Sequence, residues 1–232
     1  MTCLTPSARS IGIGIIFVGL ALAGLQPAAT AQIPPSRNTP NNLAQSKTAP
    51  HLNTEIVPGV SVGPITAKTT YQDLVKIYGA DKLSDVRPPD AEETEREFGT
   101  KVNLGPEFSF IVVWQDKTKT KPYETIEMGP GWKLPAGLRV GMTIAELQQK
   151  LGPFEIVGLG GPYSGIVPLT NTKLEQYFGK VIVQLAPKQG ADKKFPQQYK
   201  AMTGEVLRPS TDPNWKPLEM KVKYIVLLFP KK

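Results

Sequence analysis

The chain has 232 residues, with 27 Lys and Arg against 20 Asp and Glu, a formal charge of +7 and a mean hydropathy of −0.19. Its single cysteine excludes a disulfide framework, and its single histidine leaves little room for triads, Cys–His pairs or His-bearing zinc sites. The basic balance is moderate and suits solubility or an anionic neighbour.

Residues 1–10 carry one charge, Arg9, and lead into an unbroken apolar or small-residue run over 11–25. A short basic start, an apolar core of about 7–15 residues and small residues before a cut define a secretory signal, whereas a spanning helix needs about 20. Pro27 breaks the run and Ala29, Thr30 and Ala31 supply the small residues, so residues 1–31 are expected to be a signal peptide cut between Ala31 and Gln32. An uncleaved anchor is the alternative, disfavoured by the shortness of the run. Cys3 precedes the apolar core, where it cannot serve as a lipid attachment point. The expected location is periplasmic or secreted, with no integral span after cleavage. Residues 32–55 are dominated by Pro, Asn, Ser, Thr and Gln, too polar to offset their ordering entropy. They are expected to form a disordered tether, followed by a single domain over 56–232.

Two stretches of that domain, SVGPITAKTTYQDLVKIYG (61–79) and PAGLRVGMTIAELQQKLG (135–152), share a Thr-x-x-x-Leu-x-x-x-x-Gly pattern. Thr70, Leu74 and Gly79 match Thr143, Leu147 and Gly152. Thr69 or Thr70, and Thr143, can cap a helix by accepting from a free backbone N–H, and Thr143 with Glu146 fits a capping box. Leu74, Ile77 and Tyr78, then Leu147 and Leu151, form the apolar stripes of short amphipathic helices, and the glycines stop them.

Strands are predicted over 108–114 and 123–128 after the first helix, and over 154–157, 165–169, 179–185 and 218–229 after the second. In the last run Met220, Val222, Tyr224, Val226 and Leu228 are expected on one face, with Lys221 and Lys223 on the other. A weaker helix is read over 197–202. The predicted fold is α+β: two tandem helix-plus-antiparallel-strands repeats, 61–128 and 135–185, forming one sheet with short helices packed on one side.

The signature GMTIAELQQKLG resembles that of the small envelope domains of the SmpA/OmlA lipoprotein and β-lactamase-inhibitory protein type. More closely, GLRVGMTIAELQQKLGPFEIVGLGGPYSG is similar to a segment of uncharacterised exported bacterial proteins. The resemblance implies an extracytoplasmic address and a repeat fold, and no activity. The chain departs from both named types, since it lacks the lipid-anchor cysteine of the first and the disulfides of the second.

Nothing in the sequence assembles a catalytic, cofactor or metal site. His51 lies in the predicted tether, and neither Ser-x-x-Lys nor a phosphate loop occurs. Asp90, Glu92, Glu93, Glu95 and Glu97 are the densest acids; interleaved with Thr94 and Arg96, they read as a solvated edge more readily than as a glycosidase pair or calcium loop. Lys117, Lys119 and Lys121 alternate with threonine at an expected hairpin tip and share one side if strand geometry persists. With no aromatic between them, and outside the cytoplasm, they do not point to nucleic acid. Trp114, Trp132 and Trp215 are expected to pack in or near the core.

The glycine-rich stretch 158–165 lacks the following helix that a dinucleotide site needs and reads as a tight strand connection. It still offers Gly160 and Gly161 for close backbone approach and Tyr163 at a loop tip. With Trp132 before the second helix, these form the candidate partner-binding surface. The expected function is non-catalytic: an exported envelope protein that binds a protein or cell-wall partner and uses no cofactor. The alternative is a carboxylate-dependent enzyme acting on envelope glycans.

Overall fold

The computed structural model describes residues 53–89, 91 and 96–229. The predicted signal peptide, His51, most of the predicted tether, and Asp90, Glu92, Glu93 and Glu95 lie outside the described residues. Structure begins ahead of Ile56: the Lys133 N–H donates to Thr54 O at 3.0 Å, and the Ile56 N–H donates to Lys133 O at 2.7 Å.

A small antiparallel meander opens the fold, with β1 (Ile56–Val57), β2 (Ser61–Val62) and β3 (Ile65–Thr66). Helix α1 (Tyr71–Tyr78) follows, then β4 (Leu83–Val86), β5 (Gly99–Val102), β6 (Phe110–Trp114) and β7 (Pro122–Ile126). Helix α2 (Ile144–Leu151) precedes β8 (Glu155–Val157), β9 (Ile166–Val167) and β10 (Val181–Ala186). Three short helices, α3 (Ala191–Lys194), α4 (Pro196–Ala201) and α5 (Trp215–Leu218), flank β11 (Leu207–Pro209) and lead to the long β12 (Lys221–Leu228). The principal sheet is antiparallel in the order β4-β5-β6-β7-β12-β10-β9, and β8 pairs with β11. The protein is therefore α+β. Among the described residues no helix is long and apolar enough to cross a membrane.

Both principal helices form where local chemistry dictates. Thr70 and Thr143 accept from the N–H of Asp73 and Glu146, while those carboxylates accept the threonine N–H in return, so each helix starts in a complete capping box. Gly79 and Gly152, at φ 89° and 83°, end them in a region that a side chain disfavours. The apolar stripes pack on one face of the sheet: Leu74, Leu147 and Leu151 share a core with Phe110, Val112, Trp114, Val183, Leu185 and Leu227. A second, smaller apolar cluster of Ile111, Val113 and Ile126 lies across the sheet. There Arg96 Nη1 reaches the buried Glu124 Oε1 at 3.1 Å.

Strand β12 departs from the expected alternation. Met220 and Val222 are buried, but so are Ile225, Leu227 and Phe229, while Tyr224 is 41% exposed. Val222 pairs with Leu185 and Tyr224 with Gln184, which leaves Lys223 unpaired in a β-bulge. One extra residue flips every later side chain to the other face. Val226 accordingly packs against the Ile111 cluster instead of the helix-side core.

Candidate functional site

A concavity of about 770 Å³ lies beside the first turn of α2. One wall is Thr143, Ile144, Ala145 and Gln148; the opposite wall is the segment 210–213 with Trp215 and Lys216; Glu219, Met220 and Lys221 close it below. Glu219 and Lys221 also border a second recess of about 250 Å³ that reaches Lys188 and Lys223. The larger of the two falls within the size range of ordinary ligand pockets.

The walls are held by specific bonds. Gln148 Nε2 donates to Ser210 Oγ at 3.1 Å, the Phe154 N–H donates to the same oxygen at 3.2 Å, and the Ser210 N–H returns a bond to Phe154 O at 2.7 Å. Trp215 Nε1 donates to Pro209 O at 3.0 Å. These contacts tie the far wall to α2 and to Phe154, just ahead of β8.

Its acids are already engaged. Asp212 Oδ1 accepts from the Asn214 N–H and side-chain amide at 2.9 and 3.0 Å. Lys188 Nζ lies 3.0 Å from both Glu219 carboxylate oxygens and holds that carboxyl below its ordinary range, with Lys194 and Lys221 adding to the effect. Glu146 is likewise lowered, chiefly by the backbone N–H of Thr143. A general acid for glycoside cleavage needs the opposite shift. Among the described residues no three His, Cys, Asp or Glu side chains converge as metal ligands.

The residues singled out in the sequence are placed differently. Trp132 is fully buried, its Nε1 donating to Phe108 O at 3.0 Å and its ring edge-on to Phe110, so it offers no contact surface. This corrects its assignment to a binding face: an aromatic before a helix is drawn into the core when a neighbouring ring and carbonyl satisfy both its apolar body and its N–H. Trp114 and Trp215 are buried too.

Tyr163 is exposed, and its loop has internal reasons for its glycines. A Cβ on Gly161 would press on the Glu205 side chain, and one on Gly165, at φ 75°, would strike Leu185 O. Gly160 takes φ 90° and donates its N–H to Ser164 Oγ. Close packing against 203–205 and β10 thus accounts for this stretch.

Lys119 does not share a side with Lys117 and Lys121. At φ 51° it leaves strand geometry, pairs with Asp85 at 2.6 Å and lies over the Tyr71 ring. Of the acidic run, Glu97 is exposed and 3.9 Å from Arg87.

The groove itself escaped the sequence reading. Its one indirect signal was the long stretch between β10 and β12, with Trp215 inside it, since long connections often carry function. Comparison with family models, with curated proteins and with solved structures finds no match.

Proposed function

We propose that this is a non-catalytic binding protein of the cell envelope and that the groove beside α2 receives a segment of its partner. The carrying observation is a concavity whose walls are bonded in place, whose lining is largely apolar and whose acids are engaged by Asn214 and Lys188. Such a site favours occupancy over proton transfer. The glycan-enzyme alternative gains no support from it, because the one tryptophan it contains, Trp215, is buried and cannot stack on a sugar.

Export, the second half of the proposal, rests on the sequence of residues 1–31. N-terminal sequencing of the protein recovered from periplasm or medium is expected to begin at Gln32; a retained Met1 would overturn it. The groove is tested by capture from an envelope fraction with the full chain as bait. Partner recovery is expected to fall with Ala145→Trp, which fills the groove from an exposed helix position, and to persist with Tyr163→Ala. The reverse pattern would move the site to the 158–165 loop.

A further inference from the structure

Resting on that reading of the groove, we infer that its occupant is an acidic peptide segment anchored by apolar side chains. The apolar lining supplies the first half of the argument. Ile144, Ala145 and Pro213 present carbon from the two walls, with the buried Met220 beneath them, a surface suited to apolar side chains and of little use to a hydrophilic polymer.

The rim supplies the second half. The groove and the adjoining recess are bordered by Lys188, Lys216, Lys221 and Lys223 against only Asp212 and Glu219. Glu219 and Lys188 pair with each other, and Asp212 keeps its charge while accepting from Asn214, which leaves three lysines against one carboxylate. Among the described residues Lys216, Lys221 and Lys223 have no carboxylate within ion-pair distance, and all three are exposed. The imbalance extends over this half of the domain: residues 135–229 carry 12 Lys and Arg against 7 Asp and Glu, a net +5. A partner gains on-rate and specificity from matching that field with negative charge.

The N-terminus of α2 adds nothing to this attraction, because Thr143 and Glu146 already occupy its free amides and place a carboxylate there. The cations that select the ligand are therefore the lysines. An anionic polysaccharide would match the charge alone and leave the apolar lining unused, with no exposed aromatic face in the groove to stack upon. A peptide alternating Asp or Glu with apolar residues uses both features.

The test is a random-peptide display selection against the full-length protein, followed by titration of the enriched sequence as a labelled synthetic peptide. The enriched sequences are expected to place acids beside apolar residues. Binding is expected to weaken about tenfold or more in Lys216→Glu/Lys221→Glu, to weaken comparably in Ala145→Trp, and to fall as salt rises. Enrichment without acids, equal binding by the charge-reversed protein, or displacement of the peptide by dextran sulfate that also binds Ala145→Trp unchanged would each overturn the inference. The two levels of the argument fail separately. If the envelope partner is lost by Ala145→Trp but retained by Lys216→Glu/Lys221→Glu, the groove stands and the acidic peptide falls. If both variants retain it, both fall.

Discussion

Helices α1 and α2 begin in the same way and face different surroundings. Each has eight residues, a threonine capping box, a terminating glycine and a fully buried leucine one turn in. In front of α1 stands the tight β6–β7 hairpin, residues 115–121, whose Lys119 O accepts the Tyr71 N–H at 2.9 Å and whose Lys119 side chain covers the Tyr71 ring. In front of α2 no such hairpin closes. The chain leaves β10, runs through residues 187–220 as α3, α4, β11 and α5, and returns as β12. That excursion passes α2 at a distance set by the Gln148–Ser210 bond and leaves the groove between them. The contrast teaches that two helices capped and stopped alike can have different surroundings, and that the groove beside α2 comes from a longer connection, the kind of segment on which function tends to reside when a rigid scaffold holds it.

The comparison is most strongly tested in the core. Leu74→Ala and Leu147→Ala each remove a side chain with no exposed surface and should cost about 2–5 kcal/mol apiece in chemical denaturation. Similar costs fit two equivalent helices. A cost below about 1 kcal/mol at either site would break the equivalence.

Smaller effects are expected at the caps, where Thr70→Ala and Thr143→Ala should each lose about 1 kcal/mol. Asp73 and Glu146 are held below the ordinary carboxyl range, first by the backbone N–H of their threonines and then by the threonine hydroxyls. Their stabilisation is in place above the unfolded carboxyl range and is lost as pH falls through the lowered folded values. Stability curves measured against pH should therefore flatten at the acid end in Asp73→Asn and Glu146→Gln. An unchanged acid limb in both would show that the boxes are not formed in solution.

The smallest effect separates the helices at their last residue. Tyr78 stands where α2 has Leu151, and burial pushes its phenol pKa up; its hydroxyl is buried with no hydrogen-bond partner among the described residues. Tyr78→Phe removes that orphan and is expected to be neutral or to stabilise by up to about 1 kcal/mol. A loss of more than that would reveal a partner for the hydroxyl.

Much of this framework was legible because it is local. Thr143, Glu146 and Gly152 announce a helix through contacts within a few residues, and FIVVW over 110–114 announces a strand through its own composition. The face of β12 was not legible past Lys223, because the bulge that flips it is decided by pairing with β10. Trp132 was expected in or near the core yet also offered as a binding anchor, and only the first reading holds, because whether an aromatic is exposed depends on Phe108 and Phe110 across the fold. The groove joins 143–148, 210–216 and 219–221, three segments that no periodicity links, and its walls exist only after folding brings Gln148 to Ser210.

The central claim is that the open end of α2 binds and the closed end of α1 does not. Amide hydrogen exchange of the full chain, free and with its captured envelope partner, tests this directly. The account predicts slowed exchange over 143–148 and 210–223 with 70–78 unchanged. Protection confined to 158–165 around Tyr163, with the groove unaffected, would contradict it.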